Sequence, residues 1–194
     1  MDLKSELAKR TAFFNSYWER YLQTGKPVSL YEAARHLPLA GGKRIRPFLT
    51  MVSCEGVGGD AKKALSFAAA LELMHNFTLV HDDIMDKSQL RRSLPTVHVK
   101  FGEPAAILSG DLLFAKSFEA LLDIPVDFSM FQRLERGFIR CVIDICEGQQ
   151  LDMGFEKRRT VSEQEYLGMI QKKTGALFEL SAKGGALIGG GSPK

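Results

Sequence analysis

Residues 61–87 read AKKALSFAAALELMHNFTLVHDDIMDK, and this run decides the fold class. From Ala61 to about Lys87 apolar side chains fill nearly every position, the profile of a helix buried on most sides rather than along one stripe. Outward from it in both directions the dominant period is helical, and strand alternation bounded by turn signals is hard to find, so the chain is expected to be all-α. Upstream, the pattern predicts a helix over 2–23, stopped by Thr24-Gly25-Lys26-Pro27, and a second from Ser29 to about His36, ended by Ala40-Gly41-Gly42. Pro47 suits the first turn of a third helix reaching about Cys54, and Val57-Gly58-Gly59-Asp60 supplies a loop and an N-cap. Downstream, residues 88–103 read as a loop with at most one helical turn, followed by helices at about 104–123, 127–154 and 162–188.

The composition agrees with one folded helical domain over residues 1–194. Of 194 residues, 45% are apolar and 25% charged, which excludes disorder as the main state. A net charge of +3 is too small to announce a nucleic-acid partner. Cys54, Cys141 and Cys146 show neither CxxC nor Cys/His spacing, so no disulfide framework or zinc site is suggested, and a reduced cytoplasmic setting is the default. The opening MDLKSELAKR lacks the features of a signal peptide, and no run approaches the roughly 18 apolar residues of a membrane span.

Chemistry concentrates at the acidic end of the opening run. On a helical wheel Asp82, Asp86 and Asp83 fall at roughly 0°, 40° and 100°, so three carboxylates share a quadrant and repel one another. A hard divalent cation would relieve that repulsion, yet the same residues also describe a solvated helix end. Arg91 and Arg92 follow closely; acids and arginines together make sense where a polyanion binds between them, since metal bridges carboxylate to phosphate and arginine grips phosphate directly. A second basic group, Gly41-Gly42-Lys43-Arg44-Ile45-Arg46-Pro47, puts a flexible turn and three cations at a helix start, without the Ser/Thr or preceding strand of a Walker A loop. Lys173, before Thr174-Gly175, reads either as a surface lysine or as a further phosphate ligand. Gln149 and Asp152, spaced i, i+3, read as helix-end polar residues or as part of a site. None of His36, His75, His81 or His98 pairs with a nucleophile that sequence can nominate, which favours chemistry driven by metal and charge over covalent catalysis.

GGKRIRP (41–47), LVHDDIMDKSQLRRSLPTVH (79–98), GQQLD (148–152) and KTG (173–175), in this order on long helices, resemble the trans-isoprenyl diphosphate synthases, and among them most the short-chain geranylgeranyl diphosphate synthases. The resemblance implies an isoprenoid-synthase-type helical bundle around a central cavity, with an allylic diphosphate and isopentenyl diphosphate as substrates, Mg²⁺ as cofactor and a homodimer as the usual assembly. It implies that Asp82, Asp83 and Asp86 hold the magnesium ions, with Asp152 and Gln149 near the metals. Arg91 and Lys173 resemble direct contacts to the allylic diphosphate, Lys43, Arg46, His75 and Arg92 the isopentenyl diphosphate site, and Thr174 the wall facing the carbocation. Phe77, five residues before the motif, resembles the residue that limits chain length, whereas the wheel places Thr78 one turn below Asp82 and Leu71 roughly 16 Å deeper on that face; Met74 and Thr78 are the alternatives.

Two departures accompany the resemblance. Ser93 stands where the family carries glycine after the arginine pair, and residues 82–83 are the chain's sole Asp-Asp pair, whereas the family has a second aspartate-rich motif beyond KTG. The sequence therefore reads as the N-terminal two-thirds of such a synthase, expected to turn over poorly as it stands. The competing reading is a non-catalytic, diphosphate-binding or regulatory partner of a full-length synthase.

Overall fold

A computed structural model describes residues 2–192. Helix α1 (Leu3–Trp18) starts at Asp2, whose carboxylate accepts the Lys4 and Ser5 N–H groups at 3.2 and 3.3 Å, and runs into a 3₁₀ turn at Glu19–Leu22. There follow α2 (Val28–Leu39), α3 (Ile45–Gly56), a 3₁₀ turn (Ala61–Ala64) and α4 (Leu65–Met85), which carries the apolar run. A hairpin of β1 (Leu90–Arg91) and β2 (Leu94–Pro95) precedes the short α5 (Val97–Phe101), then α6 (Glu103–Leu122), α7 (Phe128–Phe155) and α8 (Glu163–Ile170). A π-helical segment, Gln171–Gly175, joins α8 to α9 (Ala176–Ile188) without a break. Among the described residues no helix is long and apolar enough to cross a membrane.

The helices stand where the hydrophobic period puts them; the hairpin is the exception to an all-helical expectation. It pairs Leu90 with Pro95 and Arg91 with Leu94. Two residues per strand are too few for alternation to register in sequence. Its turn is Arg92-Ser93, both left-handed at φ 53° and 63°, the conformation a two-residue hairpin loop requires and Asn-Gly would have advertised. Serine there bears a cost of about 1 kcal/mol that glycine would not, which is the physical content of the departure at Ser93.

The residues fall into two compact units, one comprising the chain up to Phe48 with Leu65–Ile124, the other Leu49–Ala64 with the chain from Pro125 onward. In the first, α4 packs lengthwise on α6. Phe67 through Leu71, Leu73 and Met74 of α4 are fully buried with Phe14, Trp18, Ala33, Ala106 and Leu113, confirming burial on most sides of that helix. The first unit is also tied by Tyr21, whose hydroxyl donates to Asp123 at 2.8 Å, and by Ser66, whose hydroxyl donates to the Asp123 carbonyl at 3.1 Å. In the second, α7 packs on the π segment and on α9 around Leu134, Phe138, Leu177 and Leu180. Helix α8 begins with a reciprocal cap, Ser162 accepting the Glu165 N–H while the Glu165 carboxylate accepts the Ser162 N–H. Arg158 and that cap hold the Glu165 carboxyl down at about 2.

Candidate active site

Asp82 and Asp83 lie in the last turn of α4 and Asp86 just beyond its end, where the negative end of the helix dipole makes carboxylates hardest to keep. The wheel places all three in one quadrant; the structure separates them. Asp83 is 1% exposed, Asp82 half-buried and Asp86 exposed. The reason is Arg91. The chain turns back through the hairpin, and the Arg91 Nε donates to both Asp83 oxygens at 2.8 and 2.9 Å while Nη2 lies 2.7 Å from Oδ1. A fork of this kind is the strongest neutralisation a carboxylate finds in a protein.

Arg92, next in the turn, points the other way. Its Nη1 donates to the Leu37 carbonyl at 3.2 Å and to the Gly41 carbonyl. The guanidinium lies against Gly42, where a Cβ would stand 3.2 Å from Cζ, and Gly42 itself has φ 146°. The glycine pair of GGKRIRP thus serves close approach and backbone freedom together. Beyond it Lys43 is exposed and Arg46 half-buried, whereas Arg44 is buried and directed into the core of the unit. Both the anchoring role of Arg44 and its partner Glu72 were missed from sequence; the available signal was Glu72, one acid in an otherwise apolar stretch of α4, which at 2% exposure needs a cation beside it.

His75 lies among these arginines. Burial, and then the guanidiniums of Arg46, Arg92, Arg91 and Arg44, push its pKa well below the ordinary imidazole value of 6.5. Burial, followed by Arg44, also lowers the pKa of Arg92. Two of these four guanidiniums are matched by carboxylates, Arg44 by Glu72 and Arg91 by Asp83. The effect of His75 on stability has a definite sign. Between the depressed native pKa and the unfolded value near 6.5, the unfolded chain holds a proton that the native chain does not, so the His75 contribution is complete above that value and is lost as the pH falls. Thermal unfolding should show a decline on acidification below about pH 6.5 that is smaller in His75→Gln; equal declines in the two proteins would remove His75 as its source.

The side chains expected to limit chain length lie on the same helix. The Phe77 ring packs on Phe114 of α6 at 4.8 Å and edge-on to His81 at 4.9 Å, and Phe114 continues the contact to Phe118 at 5.2 Å. Phe77 therefore lies on the α6 side of α4 and is joined there to an aromatic ladder. Met74 is fully buried, and the Thr78 hydroxyl donates to its own helix at the His75 carbonyl, 2.8 Å away. His81 is held by the Ile107 carbonyl at 3.1 Å, close against Gly110, where a Cβ would stand 2.2 Å from its Nε2.

In the second unit, Gly148 of α7 lies against the π segment so closely that a Cβ would be 2.3 Å from the Lys173 nitrogen. The π geometry is seen in the Ala176 N–H, which donates to the Gln171 carbonyl five residues back. This places Lys173 and Thr174 on the distorted turn, with the Lys173 Nζ 2.5 Å from Asp152 Oδ2. Lys172 pairs with Glu147 and lies 3.9 Å from Asp144. Gln149 is 7% exposed, and neither atom of its amide has a hydrogen-bond partner. A buried primary amide so placed is uncommon and is consistent with a ligand-facing role. The π segment was not legible in the sequence, although a lysine-threonine-glycine run opposite a helical glycine was its trace.

Among the described residues no three His, Cys, Asp or Glu side chains converge as a ready-made metal site. The donor set nevertheless fits magnesium: Asp82, Asp83 and Asp86 offer only carboxylate oxygens, and Mg²⁺ is ordinarily held by one or two carboxylates together with water and phosphate.

A family model described as polyprenyl synthetase matches residues 27–194. The chain belongs to that family. Polyprenyl synthetase relatives include a short chain isoprenyl diphosphate synthase of Methanothermobacter thermautotrophicus, 52% identical over 168 residues, covering 87% of this chain and 51% of the relative. A geranylgeranyl diphosphate synthase of Methanosarcina mazei is 44% identical over 192 residues, 99% of this chain and 59% of its own. A solved geranylgeranyl pyrophosphate synthetase from the archaeon Geoglobus acetivorans superposes with a TM-score of 0.92 at 46% identity, over 94% of this chain and 60% of its own. The fold is thus the isoprenoid synthase fold of these polyprenyl synthetases, and the chain spans between half and three-fifths of the length of these relatives.

Proposed function

We propose that this polyprenyl synthetase is a prenyltransferase that joins an allylic diphosphate to isopentenyl diphosphate and releases a product of about twenty carbons. The observation that carries the reading is the arrangement in the first unit, where the Arg91 guanidinium folds back onto Asp83 at the end of α4 while Arg92 packs on Gly41 and Gly42 of the GGKRIRP loop. Such an arrangement suits a diphosphate. Lys43, Arg46, His75 and Arg92 are assigned to isopentenyl diphosphate, and Arg91 with the three aspartates to the allylic diphosphate. Lys173, Thr174, Gln149 and Asp152 in the second unit supply a cation and a carboxylate of the same kind. Mg²⁺, when bound, neutralises the leaving diphosphate.

In the reaction the allylic C–O bond breaks with its electron pair on the diphosphate, whose charge Arg91 offsets. The isopentenyl double bond attacks the resulting allylic cation, and the proton then lost passes to the released diphosphate. No protein base is required, in keeping with the lack of a nucleophile-base pair in the sequence reading. The protein's part is electrostatic and geometric. Phe77, backed by Phe114, is assigned as the side chain against which the growing tail ends; names given to relatives at 44–47% identity, geranylgeranyl diphosphate and pyrophosphate synthases, support a twenty-carbon limit. The test is to incubate the protein with an allylic diphosphate, isopentenyl diphosphate and Mg²⁺ and to measure product length. Slow turnover to a main product near twenty carbons, lengthened by Phe77→Ser, is expected. Absence of any condensation would overturn the activity, and an unchanged product distribution in Phe77→Ser would move the length limit to Met74 or Thr78.

A further inference from the structure

We infer that Glu72 is a positioning residue for the 41–46 loop, acting through Arg44. This rests on the reading above that Lys43, Arg46, His75 and Arg92 receive isopentenyl diphosphate.

The loop has little backbone reason to hold one shape. Gly41, Gly42 and Arg44 all have positive φ, at 88°, 146° and 49°. For arginine that conformation is strained and persists only where side-chain contacts determine it. At Arg44 those contacts are made by its own guanidinium, while Arg92 separately holds the Gly41 carbonyl at the start of the loop. Arg44 Nη1 donates to Glu72 Oε1 at 2.6 Å, Nη2 to the Pro38 carbonyl at 2.9 Å and Nε to Asn15 Oδ1 at 3.2 Å, and Cζ lies 4.6 Å from the centre of the Trp18 ring. The partners come from α1, α2 and α4, so the loop is referred to three helices at once. The Arg44 carbonyl accepts the Phe48 N–H at 3.0 Å, so the pinned residue also sets where α3 begins. Lys43 stands one residue before that point and Arg46 two residues after it.

The pair is a costly way to hold a fold. The two side chains are 4% and 3% exposed, and ions so deeply buried gain little or nothing over apolar groups of the same shape. What the pair provides is direction. Glu72 lies three residues before His75 on α4, so the carboxylate that fixes the loop and the imidazole that meets the ligand share one rigid helix. The loop's cations are thereby held in register with His75.

The test uses the wild-type chain, Glu72→Gln and the double variant Arg44→Met with Glu72→Leu, each measured by calorimetry with isopentenyl diphosphate alone and with dimethylallyl diphosphate plus Mg²⁺, alongside the unfolding midpoint. The expected result is an unfolding midpoint in the double variant at or near the wild-type value, with affinity for isopentenyl diphosphate at least tenfold weaker and affinity for dimethylallyl diphosphate within twofold. Glu72→Gln keeps an oxygen for Arg44 and should show a smaller loss with the same selectivity. Equal weakening of both ligands would mean a merely structural role, and unchanged affinity for isopentenyl diphosphate in the double variant would overturn the inference. Should the double variant fail to fold, the same two criteria apply to Glu72→Gln. Arg46→Ala serves as the control: if it leaves isopentenyl diphosphate affinity unchanged in an otherwise wild-type chain, the assignment of the loop fails rather than the positioning by Glu72.

Discussion

Replacing Arg91 with alanine should weaken diphosphate binding and strengthen the binding of Mg²⁺ alone. The two effects have one cause. In the structure the Arg91 guanidinium is spent on Asp83, whose carboxylate is 1% exposed and has both oxygens engaged. A metal ion offered by itself meets a carboxylate already neutralised; a diphosphate offered by itself meets an arginine already paired. On the proposed assignment, a diphosphate and Mg²⁺ offered together would divide the pair, the diphosphate engaging the arginine and the cation the aspartate, so each ligand would raise the affinity for the other. Removing Arg91 leaves a buried carboxylate without its counter-ion, a state costing about 3–5 kcal/mol in fully buried pairs and less here because Arg91 is 29% exposed. Mg²⁺ is the cation that can relieve it. In calorimetric titrations, Arg91→Ala should bind inorganic pyrophosphate about 10–100-fold more weakly, an effect of the size expected for one charge-assisted contact, and should bind Mg²⁺ alone more tightly than wild type. Asp83→Asn should do the reverse, binding metal-free pyrophosphate more tightly and losing the gain from Mg²⁺. Unaltered titrations in both variants would remove the Arg91–Asp83 pair from the site.

Gly148→Ala should be among the most damaging small substitutions in the second unit. The added Cβ would lie 2.3 Å from the Lys173 nitrogen and 2.7 Å from its Cα, atoms of a backbone that has no rotamer through which to escape. Either α7 and the π segment move apart or the segment rearranges. Overpacking of this kind costs about 1–3 kcal/mol or more, which for a chain of this size lowers the unfolding midpoint by roughly 3–10 °C. Amide hydrogen exchange should show the loss concentrated at residues 171–176. An unchanged midpoint with unchanged exchange would mean that α7 and the π segment accommodate a Cβ without strain, and would remove Gly148 as the reason for the geometry around Lys173.

The helices were legible because burial repeats along them, and the motifs because their residue types have few other uses in combination. What stayed hidden depended on single contacts. The wheel put Asp82, Asp83 and Asp86 in one quadrant, but angle reports neither that the helix stops at Met85 nor that a hairpin returns Arg91 to claim Asp83. The hairpin itself left no periodic signal, since its turn is built from arginine and serine in a conformation usually marked by glycine or asparagine. Arg44 looked like one of three equivalent cations in GGKRIRP, although the structure buries it and leaves Lys43 exposed; neighbouring charges on a turn diverge by geometry that composition does not carry. Phe77 was nominated by resemblance against the wheel, and its contact with Phe114 explains how a side chain off the carboxylate face still belongs to a wall.

The π segment at Gln171–Gly175 has a consequence for how the last helix tolerates insertion and deletion. A bond closed over five residues instead of four encloses one residue more than an α-helix would hold, so the widened turn absorbs that residue and leaves α8 and α9 in nearly the angular relation of one regular helix. Deleting any one residue between Gln171 and Gly175 would let α8 and α9 fuse into a single regular helix. Leu177, Leu180 and Ile188 would keep their buried face, and only the widened turn that carries Lys173 and Thr174 would be lost. One further residue inserted in the regular turns of α9 would instead rotate everything beyond it by about 100°. The distortion at Lys173 is thus a place where the chain can lose a residue without disturbing the apolar face that follows.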